Sequence, residues 1–118
     1  MIKGMHALIY SRNANEVRSF FKEVLRLRSV DAGDGWLIFA LPPAELAVHP
    51  ARKSGHELYL MCQDIDSSVR KLKAKGVKVV EPVTDRGWGL VTRIKLKGGD
   101  EFGLYQPKHR TAIRWRGR

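Results

Sequence analysis

Hydrophobic positions fall along this chain in two rhythms, one of period two and one of period 3.6, and the order of the rhythms recurs. Met5–Ser11 (MHALIYS) alternates, with His6, Leu8 and Tyr10 on one face and Ala7, Ile9 and Ser11 on the other, the pattern of a strand with two unlike sides. Val17, Phe20, Phe21, Val24 and Leu25 then follow the i, i+3, i+4, i+7, i+8 spacing of a helix with one buried stripe. Asn13 with Glu16 three residues on predicts the helix start, the Asn side chain meeting an orphan backbone N–H and the Glu reaching back. Three short strands are expected around Arg28–Ala32, Trp36–Leu41 and Glu45–His49, with Asp31-Ala32-Gly33-Asp34-Gly35 and Pro42-Pro43 supplying the turns.

The order then starts again. His56–Cys62 (HELYLMC) alternates with His56, Leu58, Leu60 and Cys62 on one face. Asp66 is the expected N-cap of a second helix, Ile65 and Val69 the staple around it, and Leu72 continues the stripe until Gly76 ends it. Val77–Val80, Gly89–Leu96 and Phe102–Gln106 follow as strands, the last two joined by a hairpin turn at Gly98-Gly99-Asp100. The repeat can be followed residue by residue: His6 corresponds to His56, Gly35-Trp36 to Gly87-Trp88, and Glu45-Leu46 to Gly103-Leu104. Pro50–Gly55 (PARKSG) joins the halves.

Composition narrows the class. At 118 residues, 43% of them hydrophobic, the chain suits one domain with a modest core. No apolar run approaches a membrane span, Met1-Ile2-Lys3-Gly4 does not open a signal peptide, and the one cysteine, Cys62, cannot form an intrachain disulfide. A reducing cytoplasm is therefore the expected compartment. The net charge of +10 is uneven, since residues 108–118 (KHRTAIRWRGR) carry five basic residues and no acid. No recognised nucleic-acid motif accompanies that charge, so the expected partner is a small molecule and the tail a solvated end.

Two βαβββ modules of about 50 residues, each opening with a His on its first strand, resemble the vicinal oxygen chelate superfamily, which includes glyoxalase I, fosfomycin and bleomycin resistance proteins and extradiol dioxygenases. The matching segments are HALIYS (6–11), HELYLMCQDID (56–66) and GGDEFGLYQP (98–107), the last similar to that family's closing strand. The resemblance implies an α+β fold in which two tandem βαβββ modules, about 3–50 and about 55–107, curl their mixed sheets around a cleft. Residues 1–107 then make a single glyoxalase/dioxygenase-like domain, with 108–118 as a basic tail. It also implies a divalent metal (Zn, Ni, Fe or Mn) held from the first and last strands of the modules, and a homodimer with two-fold symmetry. Carried over, the ligands fall on His6, Glu45 and His56. The second-module Glu of glyoxalase-like members falls on Gly103, which has no side chain to ligate.

Two imidazoles and one carboxylate leave open positions on a divalent ion, the arrangement a Lewis-acid or oxygen-activating site requires. The expected activity is a metal-dependent lyase, isomerase or dioxygenase acting on a small oxygen-bearing molecule, with Glu45 and Tyr105 in catalysis. The alternative is a metal-free protein that binds or sequesters an anionic ligand, to which a +10 chain is electrostatically suited. Trp36 and Trp88, at equivalent points of the repeat, are candidate cleft walls. Arg93 is a candidate for neutralising a carboxylate or phosphate, and Tyr105, sharing the parity of Gly103, for presenting a hydroxyl. His49 is a substitute ligand candidate.

Overall fold

The structure is a computed structural model, and it describes residues 6–45, 47, 50, 52–54 and 56–111. The first α-helix, α1, spans Ala14–Ser19 and continues as a π-helical turn, Phe20–Val24. The wider turn, marked by the i→i+5 bond from Leu25 N–H to the Phe20 carbonyl (3.0 Å), falls where two adjacent Phe both turn inward. Asn13 makes no side-chain cap. Instead its Nδ2 donates to the Gly98 carbonyl at 2.8 Å, while Ser11 Oγ donates to Asp100 Oδ2 at 2.7 Å. The expected capping pair is thus replaced by two bonds that tie the helix entry to the distant Gly98–Asp100 turn.

Strands β1 (Ser29–Asp31) and β2 (Leu37–Phe39) form an antiparallel pair. The second half runs β3 (Tyr59–Met61), α2 (Ile65–Ala74), β4 (Lys78–Val79), β5 (Thr84–Asp85), β6 (Gly89–Lys95) and β7 (Glu101–Pro107). Its five-stranded mixed sheet has the order β3-β7-β6-β4, with β5 also paired to β6 and β3 parallel to β7. The short β5 was not expected from the sequence. Helix α2 is capped two residues earlier than anticipated: Asp64 Oδ1 accepts from Ser67 N–H at 3.1 Å, and Asp66 lies within the first turn. Gln106 Oε1 reaches back from β7 to accept from Ile65 N–H at 2.9 Å, satisfying another orphan donor.

Residues 6–11 are not a strand, and neither is Glu45; Leu46, Val48 and His49 of the expected third strand lie outside the described residues. Two turns nevertheless share local chemistry. Asp31 Oδ1 accepts from Gly33 N–H (2.8 Å), Asp85 Oδ1 accepts from Gly87 N–H (2.8 Å), and the glycines before Trp36 and Trp88 have φ of +83° and +84°.

One core joins both halves. Val17, Phe20 and Phe21 of the first helical segment pack with Ile65 and Leu72 of α2 over Ile94, Phe102 and Leu104 of the large sheet. Phe20 stacks on Phe102 (centroids 6.2 Å apart), and Phe21 touches both Phe102 (5.8 Å) and Phe39 of β2 (5.7 Å). Each fully buried large side chain contributes about 1.5–3 kcal/mol. Phe21, contacting both sheets, therefore holds the halves together.

Candidate functional site

The helices cover one face of the large sheet, and strand parity assigns the other. Ile94 pairs with Phe102 and Thr92 with Leu104, all beneath the helices, so Val91, Arg93, Gly103 and Tyr105 turn to the opposite face. Tyr59 and Met61 register with Gly103 and Tyr105 and share that face. There Tyr59, Trp88 and Tyr105 form a closed set of edge-to-face contacts, with centroid separations of 5.9, 5.7 and 5.2 Å. Such pairs stabilise by about 0.5–1.5 kcal/mol beyond their area.

Glycines seat these rings. A Cβ on Gly103 would overlap the Tyr59 ring, approaching its Cγ to 3.0 Å, and one on Gly89 would come within 2.9 Å of Tyr105 Cδ2 and of the Gln106 carbonyl. Neither glycine is reserved by backbone strain, since neither has positive φ. Both are needed because a ring lies across them. The rings consequently cluster on this face of the sheet as an aromatic wall, each set edge-to-face against the other two.

Tyr105 carries the polar end of the wall. Its hydroxyl lies 3.3 Å from His109 Nε2, and the two rings are 6.0 Å apart. Partial burial, then the negative charge of Glu45, push the Tyr105 hydroxyl above its usual pKa. His109 is held in place by its neighbour. Lys108 N–H donates to the Trp88 carbonyl at 2.9 Å, extending the β6–β7 ladder, and Lys108 Nζ bonds Asp85 Oδ2 at 2.7 Å. That bond, together with the Gly87 N–H, holds the Asp85 carboxyl below its ordinary value.

The sequence candidates divide on this geometry. Trp88 and Tyr105 are in the wall, and Glu45 lies close enough to act on Tyr105. Trp36 stands 52% exposed at the β1–β2 hairpin and makes no ring contact among the described residues. Arg93 is on the wall's face, but its Nε is engaged by Glu101 Oε1 at 3.2 Å. His6 and His56 are both exposed and outside any strand. Leu60 and Cys62, which share the parity of His56, pack against the core, away from Tyr105's face. Burial raises the Cys62 thiol pKa, consistent with an inert side chain.

Among the described residues no three His, Cys, Asp or Glu side chains converge on a position that would hold a divalent ion. The resemblance puts the second-module ligand position on Gly103, and the Tyr59 ring occupies the space a side chain there would need. The described residues of one chain do not by themselves assemble a metal centre. Two shallow depressions lie elsewhere, along Arg12–Arg18 and beside Val69, Lys73 and residues 79–83, and neither reaches the aromatic face.

Tyr59 and His109 belong to this aromatic cluster, and sequence reasoning did not single them out. Tyr59 carried a signal in its parity, one residue out of step with His56. His109 lay inside a segment read as a solvated basic tail, and nothing in its sequence context marks it.

Comparison with known proteins places this geometry. No curated protein matches the sequence significantly. Among solved structures, a member of the glyoxalase/bleomycin resistance protein/dioxygenase superfamily from Sphaerobacter thermophilus superposes with a TM-score of 0.63 at 22% identity, covering 89% of this chain and 98% of that one. An antibiotic binding protein from Streptomyces sp. CB03234 gives 0.63 at 22%, covering 92% and 99%. Lactoylglutathione lyase from Agrobacterium tumefaciens gives 0.61 at 14%, covering 88% and 92%. At these identities the likeness is one of fold. The sequence itself goes further: a family model matches residues 5–104, from before His6 to the middle of β7, and the chain belongs to the Glyoxalase/Bleomycin resistance protein/Dioxygenase superfamily.

Proposed function

We propose that this protein is a small-molecule binding member of the superfamily, which holds a planar ligand against the Tyr59–Trp88–Tyr105 wall without a metal ion in the site. One observation carries the reading: the position that would complete a metal-ligand set is a glycine on which an aromatic ring of the wall is seated. A carboxylate at residue 103 and the wall exclude each other sterically, so the chain has been built for the wall. The net charge of +10 favours an anionic over a cationic ligand at long range. In keeping with the superfamily, we propose that two tandem modules make up residues 1–107 and that the protein works as a two-fold dimer.

The competing reading is the metal-dependent lyase, isomerase or dioxygenase, with His6, Glu45 and His56 as ligands. Glu45 does lie beside Tyr105, but within one chain the histidines do not join it. Calorimetric titration with 2-naphthoate, with and without prior chelation, separates the two. Binding that survives chelation and weakens about three- to tenfold in Trp88→Ala, the loss of one aromatic contact, supports the wall. A stoichiometric ion in the purified protein, lost in His6→Ala and required for binding, refutes it.

A further inference from the structure

Which hydrogen-bonding partner the wall selects follows from the atoms around Tyr105. His109 Nδ1 lies 2.9 Å from the Arg110 carbonyl oxygen. A carbonyl accepts and never donates, so Nδ1 carries the ring proton, and the neutral imidazole has its lone pair on Nε2. Nε2 is the atom 3.3 Å from Tyr105 Oη, so the Tyr105 hydroxyl donates to it. The other group acting on this hydroxyl, the Glu45 carboxylate, is also an acceptor. The phenolic proton is therefore committed within the protein, and what Oη offers outward is lone pairs.

We propose that His109 is a specificity-determining residue: by accepting the Tyr105 proton it makes Tyr105 Oη a hydrogen-bond acceptor facing the ligand, so that the site selects planar molecules bearing a phenolic or enolic O–H over those presenting a bare oxygen. This rests on the wall reading above and sharpens its ligand class. Several features give it structural substance. His109 stands at a fixed place because Lys108 is held at both its N–H and its Nζ. The His109 ring continues the aromatic surface, inclined 33° to Tyr105. A planar ligand lying on the wall shuts water out from Oη, and an acceptor so covered discriminates, because a ligand that offers only another lone pair leaves both oxygens without a partner.

The test uses two probes of equal charge, 6-hydroxy-2-naphthoate and 6-methoxy-2-naphthoate, titrated by calorimetry at pH 7 against the full chain. The hydroxy compound is expected to bind about three- to tenfold more tightly, the worth of one neutral hydrogen bond. In His109→Phe the ring is kept and the acceptor removed, freeing the Tyr105 proton to point outward; the preference should fall to near parity or reverse toward the methoxy compound. In Tyr105→Phe both probes should bind alike, which also measures any bias from the methyl group's bulk. Equal binding of the two probes by the wild type, or a preference that persists in His109→Phe, overturns the proposal while leaving the wall intact. If 2-naphthoate and both of these probes fail to bind, the wall reading falls and this inference with it.

Discussion

Replacing Gly103 with Ala adds one methyl group to a strand residue of ordinary φ, where relief of glycine's unfolded-state entropy would normally stabilise by about 0.4–1 kcal/mol. Here the sign should reverse. The new Cβ would overlap the Tyr59 ring along its Cδ1–Cε1 edge and lie 3.0 Å from Cγ, so it meets a rigid ring and not the far end of a flexible chain. The ring cannot yield by a small torsion, so the cost is that of overpacking, about 1–3 kcal/mol. It includes the Tyr59 contacts to Trp88 (5.9 Å) and Tyr105 (5.7 Å), which a displaced ring would surrender. After the glycine gain, the net loss should be about 1–2 kcal/mol.

Tyr59→Ala supplies the control. Without the ring the three atoms nearest that Cβ are gone, so Gly103→Ala in the Tyr59→Ala background should be neutral or stabilising by up to about 1 kcal/mol. The double-mutant cycle therefore predicts a coupling of about 1–3 kcal/mol, within the range known for residues in direct contact. Urea unfolding of the four proteins measures it, provided that the slope of each transition is shared. If Gly103→Ala destabilises equally in both backgrounds, or stabilises the wild type, then Tyr59 does not lie across Gly103 and the steric argument against a carboxylate at residue 103 fails.

Other consequences can be checked on the same preparations. In a spectrophotometric pH titration, Tyr105, found by difference against Tyr105→Phe, should ionise above the ordinary tyrosine value; Glu45→Gln should lower it only partway, since burial is the larger cause. A raised folded-state pKa means stability that is complete below the unfolded value near 10 and lost as pH rises through the folded one, so wild type should lose more stability than Tyr105→Phe in strong alkali. The Asp85 carboxyl is depressed, so its contribution is present above about pH 4 and lost as pH falls through its lower folded value; the difference between wild type and Asp85→Asn in acid unfolding should follow that course. Asp64→Ala removes the observed cap of α2 and should cost about 1 kcal/mol, whereas Asp66→Ala should cost less. Sedimentation at micromolar concentration should give twice the chain mass; the mass of a single chain would refute the dimer.

Much of the fold was legible because its signals are local. Period-two runs located β6 and β7, the buried stripe located the first helix, and Gly98-Gly99-Asp100 marked the turn between the long strands. The boundaries that moved did so for tertiary reasons. Asn13 has the chemistry of a cap, yet its amide is drawn to the Gly98 carbonyl 85 positions away, a partner no local window contains. Asp64 caps α2 in preference to Asp66 because the chain bends there to leave β3, where the Cys62 N–H bonds to the Tyr105 carbonyl. His6–Tyr10 reads as a strand by alternation, but alternation supplies only the faces of a strand; the hydrogen-bonding neighbour must come from elsewhere. Leu8, Ile9 and Tyr10 remain 62%, 41% and 89% exposed.

The site was harder to read because parity orders a strand's residues without saying which set is covered. That choice is made by where the helices pack. Once Phe20 stacks on Phe102, and Ile65 and Leu72 join the same cluster, the even-numbered residues of β7 are committed to the core and Gly103 and Tyr105 to the open face. Tyr59 follows through its register with Gly103, and the parity of His56 is sent the other way. A single packing decision thus sets the Tyr59–Trp88–Tyr105 rings on the open face, with Gly103 beneath them. By itself that glycine looks like a position without chemistry; beside the Tyr59 ring it is the residue that leaves the ring its space.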